Sequence, residues 1–178
     1  MNYKDITLPL SKVDARSLRA GEACRLTGPL FTLRDAGHQC LLEELGKSTV
    51  LPYGLSGQLI FYAGPTPEKA GRPFGAIGPT TASRMDFATP TLLSRGLTGT
   101  IGKGVRSEEV RQACVDYSSV YFVATGGAAA LLAQHVESCE TLAYDDLGTE
   151  ALRKITVRDF PVFVGIDTLG QCIYSLDE

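Results

Sequence analysis

No hydrophobic run in this chain reaches about 18 residues, so the elements it predicts are short and no membrane-spanning helix is expected. Ile6 to Leu10 alternates weakly and predicts an edge strand. Ser11 to Arg19 carries Val13 and Leu18 at helix-compatible spacing and ends at the Ala20-Gly21 turn. Glu22 to Leu33 reads as β, with Leu26, Leu30, Phe31 and Leu33, but is broken by Thr27-Gly28-Pro29. Leu41, Leu42 and Leu45 predict a helix over 38–45, with Asp35 as its N-cap. Leu59 to Tyr62 is a short buried strand, and Gly64 to Pro79, rich in Gly and Pro, is a long loop of the kind that usually carries function.

The second half follows the same logic. Ser107 predicts an N-cap for a helix over 108–117, with Glu108 and Glu109 where the helix dipole favours acid. Val120 to Ala124 is a buried strand, and Gly126-Gly127 open an Ala-rich helix over 128–137. Ala151 to Lys154 reads as a helical turn. Phe160 to Ile166 and Gln171 to Tyr174 flank Asp167-Thr168-Leu169-Gly170 as a hairpin. Strands and helices mix without strict βαβ alternation, so the fold class expected is α/β with a mixed sheet. At 178 residues the chain suits one domain, over 1–178.

Composition narrows the function. Hydrophobic residues at 44% and charged residues at 21% are globular proportions. The net charge of -3 disfavours a partner in nucleic acid or an anionic membrane, because either needs a basic footprint. The opening residues to Leu10 are too short and interrupted for a signal peptide, so a cytoplasmic location is expected. Cys24, Cys40, Cys114, Cys139 and Cys172 are odd in number and dispersed, with no C-x-x-C pair. That pattern argues against a disulfide framework and against a self-contained zinc or iron–sulfur site. The thiols read as small buried hydrophobes, and any metal would come mostly from elsewhere.

Four polar clusters interrupt the hydrophobic pattern. Arg34, in the stretch Thr27 to His38, stands between a strand and a helix, where a guanidinium can grip a carboxylate; a local Arg34–Asp35 capping pair is the alternative. Gly78-Pro79-Thr80-Thr81-Ala82-Ser83-Arg84-Met85-Asp86 gathers three hydroxyls and an arginine. Entering a helix, it would aim amides and hydroxyls at one spot, with Thr80 and Arg84 on one face; an ordinary N-cap with a solvated arginine is the alternative. Ile101-Gly102-Lys103-Gly104 places an ammonium where glycines allow close approach to a ligand, though most such tripeptides are turns. Gly126-Gly127 could bind an anion at a helix start, or serve close packing. His38 and His135 are the only histidines, His135 reads as an ordinary helix residue, and no H-E-x-x-H or G-x-S-x-G element occurs. Arg34, Arg84 and Lys103 beside clustered hydroxyls fit a small di-anion such as a dicarboxylate.

Taken in order, L-T-G-P-L-x-T-x-R-D-A-x-H, Y-A-G-P, G-P-T-T-x-x-R-M-D, I-G-K-G, Y-F-V-A-x-G-G-A-A-A-L and D-L-G-T-E-A run from Leu26 to Ala151, followed by Phe160-Pro161-Val162. This ordered set resembles the beta-subunit family of class I fumarases and L-tartrate dehydratases over nearly the whole chain. The resemblance implies a swivelling β/β/α domain paired with an alpha subunit in a hetero-oligomer. The alpha subunit would hold a [4Fe–4S] cluster on three cysteines, with one iron open as a Lewis acid, while this chain closes over it. It also implies Thr80 as catalytic base, Arg34 and Arg84 as carboxylate binders, and Lys103 and Thr81 as further substrate-binding groups. A threonine base would need its cationic neighbours for stabilisation. Gln39-Cys40 departs from the pattern, where a basic residue is expected. Arg84-Met85-Asp86 and Asp146 to Glu150 look more like the fumarase branch. Three readings remain: hydration of fumarate to malate, as in the tricarboxylic acid cycle; dehydration of tartrate to oxaloacetate; and a non-catalytic dicarboxylate-binding or regulatory domain.

Overall fold

The computed structural model describes residues 2–69 and 71–175. Met1, Ala70 and 176–178, which the expected domain and long loop include, lie outside the described residues. The elements are β1 (Lys4–Thr7), α1 (Lys12–Ser17), β2 (Ala23–Thr32), α2 (Asp35–Leu45), β3 (Leu59–Phe61), α3 (Thr89–Ser94), β4 (Gly99–Gly102), α4 (Glu108–Asp116), β5 (Val120–Val123), α5 (Ala129–Ala133), β6 (Val136–Ala143) and β7 (Leu152–Ile166). The sheet is mixed and the class α/β, as expected. Its order is β1-β2-β3-β4-β5-β7-β6, with β1 to β5 parallel and β7 antiparallel to β2, β5 and β6.

An added pairing of β2 with β7 closes β2, β3, β4, β5 and β7 into a ring. Closure depends on the length of β7. One of its edges follows β2 from Ala23 to Thr32; the other takes β6 first and β5 last, so that Phe163 registers with both Ala23 and Val123. Successive strand residues alternate between two cores, as a pleat requires. Phe61 and Phe122 pack with Ile6, Leu26 and Phe160 in one, while Ile60, Tyr62 and Tyr121 pack with Leu33, Met85 and Leu92 in the other.

Several elements differ from expectation for identifiable reasons. Thr27-Gly28-Pro29 does not break β2; it bulges it, with the register slipping between Leu26 and Gly28. Gly28 has φ +133°, and a Cβ there would lie 2.7 Å from the Leu8 carbonyl oxygen, so both backbone and space require glycine. Asp35 is the first residue of α2, and Arg34 holds the N-cap position without a side-chain cap. The Ala-rich helix stops at Ala133, and Val136–Ala143 is a strand against β7. His135 therefore lies between helix and strand, its Nδ1–H donating to the Arg158 carbonyl at 2.9 Å. Leu152 to Lys154 begins β7, because Leu152, Ile155 and Val157 are core residues of a paired strand; the helical turn, a 3-10 one, lies earlier at Asp145–Glu150. The turn at Asp167 exists, with Oδ1 accepting from the Leu169 and Gln171 amides at 2.9 and 3.0 Å. Its returning strand amounts to one Ile166–Cys172 bridge before a 3-10 turn at Ile173–Ser175.

Candidate functional site

Parallel strands present their carboxyl ends on one side of a sheet, and polar groups on the loops that follow converge there. Arg34 follows β2, Tyr62-Ala63-Gly64 follows β3, Lys103 follows β4 and Gly126 follows β5. The Thr80-Thr81 segment returns into this row and is stitched to it by backbone. The Thr80 amide donates to the Tyr62 carbonyl at 2.8 Å, the Lys103 amide donates to the Thr80 carbonyl at 3.2 Å, and the Ala82 amide donates to the Lys103 carbonyl at 2.9 Å. Single bridges pair Ala63 with Pro79 and Thr81 with Lys103. Thr80, Thr81 and Lys103 are thus brought together by main chain.

The helix expected after Thr81 is one 3-10 turn, Ala82–Met85. Thr80 precedes it, so Thr80 and Arg84 do not share a helical face. The Thr80 and Ala82 amides are engaged by carbonyls, and no amide cradle for an anion forms from them. Thr80 Oγ1 donates to the Tyr62 carbonyl at 3.0 Å. Its single proton is therefore occupied, and the oxygen is left as an acceptor.

Carboxylates of the chain itself organise the arginines. Arg84 Nε donates to Asp35 Oδ1 at 2.9 Å; Arg34 Nε lies 3.9 Å from Asp35 Oδ2 and 3.7 Å from Glu150 Oε1. Arg34 is mostly covered and Arg84 half exposed, with side-chain exposures of 24% and 52%. Lys103 is exposed, with no carboxylate in ion-pair range among the described residues. Gly64 makes room for Arg34: a Cβ there would lie 3.0 Å from Arg34 Cδ and 3.1 Å from the Thr149 carbonyl oxygen. Gly37 does the same for Glu150, whose carbonyl oxygen would meet a Cβ at 2.7 Å.

The glycines around Lys103 serve packing and turning. A Cβ on Gly102 would sit 2.8 Å from Ala82 Cβ, so this glycine admits the 3-10 turn against β4 rather than a ligand. Gly104 has φ +84°, a conformation that favours glycine. Gly126-Gly127 lead into a helix of five residues whose start packs on Gly78, where a Cβ would lie 3.0 Å from Ala129 Cβ. Gly126 and Gly127 are not themselves close-packed: a Cβ on Gly126 would lie 3.7 Å from Lys103 Cδ, an ordinary contact, and Gly127, at φ +79°, turns the chain with open space beside it.

Beneath the site runs a buried polar network that sequence reasoning missed. Arg106 has no exposed side-chain surface. It donates from Nε to Asp86 Oδ1 at 2.6 Å, from Nη1 to Thr100 Oγ1 at 3.0 Å and from Nη2 to Thr89 Oγ1 at 2.8 Å. Its guanidinium lies 5.3 Å from the Tyr62 ring centroid and 4.8 Å from that of Tyr121, within cation–π range. Asp86 Oδ2 accepts from the Ser107 amide at 2.7 Å. Asp86 of the R-M-D element is therefore a structural anion anchoring the 3-10 turn. No local pattern distinguishes Arg106 from a surface arginine before a helix; the pairing only appears once β4 and the turn meet.

His38 completes the support. It is fully buried and edge-on to Tyr62, ring centroids 5.2 Å apart, and its Nδ1–H donates to the Arg34 carbonyl at 2.8 Å. Burial pushes its pKa down to about 4, against the opposing effect of that hydrogen bond, so the ring is neutral at pH 7. A cavity of about 370 Å³ lies beyond Gly64, lined by Thr66, Phe74, Cys139, Thr149 and Arg153. None of Arg34, Thr80, Thr81, Arg84 or Lys103 lines it, so chemistry and not concavity locates the site.

Among the described residues no group of three or more His, Cys, Asp or Glu is arranged to hold a metal ion. Cys24, Cys114 and Cys172 are buried; burial pushes the Cys24 thiol up to about 11 and the Cys114 thiol up to about 12, away from the thiolate a metal needs. These donors do not fit a [4Fe–4S] cluster. No helix among the described residues is long and apolar enough to cross a membrane.

Comparison with known proteins gives a consistent assignment. The family model described as Fumarase C-terminus matches residues 2–176. The anaerobic class I fumarate hydratase of Escherichia coli K12 is 38% identical over 175 residues, covering 96% of this chain and 32% of that protein. Fumarate hydratase 2 of Leishmania major is 36% identical over 175 residues, covering 96% and 31%. The beta subunit of L(+)-tartrate dehydratase from Escherichia coli K12 is 34% identical over 173 residues, covering 94% of this chain and 85% of that subunit. The chain thus spans about a third of the length of these fumarate hydratases and most of the tartrate dehydratase subunit.

Proposed function

Because the chain belongs to the fumarase C-terminus family, we propose that residues 1–178 form one beta-subunit-type domain of a two-component hydro-lyase that reversibly hydrates fumarate to malate. The carrying observation is the convergence of Arg34, Arg84, Lys103 and Thr80 at the carboxyl ends of β2, β3 and β4, with the arginines oriented by Asp35 and Glu150. Arg34 and Arg84 hold substrate carboxylates through their Nη atoms, whose paired donors match carboxylate oxygens. Lys103 adds a point charge, and Thr81 lies beside it on the same bridge. Thr80 is the acid–base group: as an alkoxide its Oγ1 takes the proton leaving carbon in dehydration and becomes the hydroxyl, and in hydration that hydroxyl gives its proton to carbon. The surrounding cations favour the alkoxide, and the hydroxyl formed when it takes a proton donates to the Tyr62 carbonyl.

The [4Fe–4S] cluster belongs, in this proposal, to a cysteine-bearing alpha subunit, with which this chain forms a cytoplasmic hetero-oligomer. This chain contributes binding, orientation and proton transfer at Thr80. The test is anaerobic fumarate hydration by the chain co-expressed with such a partner, beside each chain alone. Turnover in the pair alone is the expected result. An intact cluster without fumarate turnover would overturn the fumarate assignment. Tartrate dehydration is the second reading, favoured by similarity over 85% of a tartrate dehydratase beta subunit; inactivity on both substrates would leave a dicarboxylate-binding domain.

A further inference from the structure

Arg34 and Arg84 come from separate loops yet meet at one carboxylate, that of Asp35. Each approaches it through Nε: Arg84 at 2.9 Å from Oδ1, and Arg34 at 3.9 Å from Oδ2, with Glu150 at 3.7 Å on the same Nε. A guanidinium held at Nε loses rotation about its terminal bonds but keeps its Nη1–Nη2 edge for another carboxylate. Among the described residues Arg84 has no ion pair other than this one. Asp35 is itself placed by the fold, at the first position of α2, where helix amides favour an anion.

The bridge is one-sided as it stands. Arg34 Nε and Asp35 Oδ2 are both buried atoms without a hydrogen-bond partner. They are a donor and an acceptor, and a movement of about 1 Å would join them. A carboxylate between two like-charged guanidinium groups also offsets their mutual repulsion, which lets them stand close enough to serve one small ligand.

We propose that Asp35 is a positioning residue of this site. It bridges Arg34 and Arg84 through their Nε atoms and leaves both Nη edges for the dicarboxylate, a role that rests on the functional reading above. The local Arg34–Asp35 pair that the sequence also allows becomes, in this arrangement, half of a bridge between two loops.

The experiment has two arms. In the first, hydrogen exchange at Arg84 Nε–H is followed by NMR in the full chain alone, for the wild type and Asp35→Ala. Exchange about tenfold slower in the wild type is expected, the size of effect a charge-assisted hydrogen bond gives; equal exchange overturns the bridge, whatever the chain's activity. In the second, kcat/KM of the chain with its partner is measured for Asp35→Asn, Arg84→Ala and the double variant. Asp35→Asn should lower it about tenfold in the wild-type background and only about two- to threefold beside Arg84→Ala, because the hydrogen-bonded half of the bridge is then gone and only the looser Arg34 contact remains. Equal losses in both backgrounds, the pattern of a merely structural role, overturn the proposal. If the wild-type pair turns over neither fumarate nor tartrate, the functional reading fails while the exchange measurement still decides the bridge.

Discussion

Replacing Asp86 with alanine removes the anionic partner of a guanidinium that has no exposed side-chain surface. Arg106 would keep Thr100 and Thr89 at 3.0 and 2.8 Å and its place over two tyrosine rings, but lose the 2.6 Å bond to Oδ1. The Ser107 amide would lose its 2.7 Å acceptor as well. Removing one member of a buried ion pair costs about 3–5 kcal/mol, because the other charge is left uncompensated. Asp86 is 14% exposed, so water reaches the altered position and the lower end of that range, about 3 kcal/mol, is expected. For a chain of this length the melting temperature should fall by about 6–12 °C. Thermal and urea unfolding of the full chain, followed by circular dichroism, measures both quantities. A companion variant, Asp86→Ala with Arg106→Met, removes both charges and should recover much of the loss, since apolar replacement of a whole buried pair is often near neutral. A single variant losing less than about 1 kcal/mol, or a double variant no more stable than the single, would refute the reasoning.

Three further outcomes follow from the same geometry. With the His38 pKa at about 4 in the fold against 6.5 when unfolded, the unfolded chain binds the extra proton in that window, and stability falls as pH drops through it. The loss is on the order of 2 kcal/mol between pH 6.5 and about pH 5; it should flatten in His38→Phe, and an unchanged slope would exonerate the histidine. Gly64→Ala places a Cβ 3.0 Å from Arg34 Cδ, so about 1 kcal/mol of stability should be lost together with a several-fold rise in KM, both absent if Arg34 can shift freely. Arg84→Lys should lower kcat/KM about ten- to hundredfold, since an ammonium cannot reproduce the Nε grip and a paired Nη edge at once; an unchanged kcat/KM removes Arg84 from substrate binding.

What the sequence disclosed depended on whether the signal was local. The strands at Leu59 and Val120 and the Ser107 cap were legible because apolar runs and caps are written in adjacent residues. Gly28-Pro29 reads as a break because a bulge and a strand end use the same residues, and only the approach of Leu8 distinguishes them. The Ala-rich helix reads too long because Val136 to Ala143 carries little hydrophobicity on its exposed face, and β7 is what makes it a strand. Ring closure, which places the strand ends together, rests on the β2–β7 pairing across the length of the chain and has no local trace. The candidate cations were visible as motif residues. Their partners are only partly so: Asp35 reads as a cap or a local partner of Arg34, Asp86 only as part of a motif, and Arg106 carries no local signal.

The supporting residues explain why the motifs are longer than their chemistry requires. In the Arg34-Asp35 element the proposed function gives the first side chain to the ligand, while the carboxylate of the second holds Arg84. In Tyr62-Ala63-Gly64 the tyrosine carbonyl holds Thr80 in place, its ring meets His38 and Arg106, and the glycine makes space for Arg34. In Gly78 to Asp86, Thr80 and Arg84 are the proposed functional groups while Ala82 packs on Gly102 and Asp86 fastens the turn to Arg106. A chain could keep Arg34, Thr80, Arg84 and Lys103 yet lose function if Gly64, Tyr62 or Asp86 changed, because loops hold a side chain only as well as the buried groups beneath them allow. The reverse also follows: a relative with the supporting residues but without the four polar groups would keep the fold and the strand-end geometry while binding something other than a di-anion.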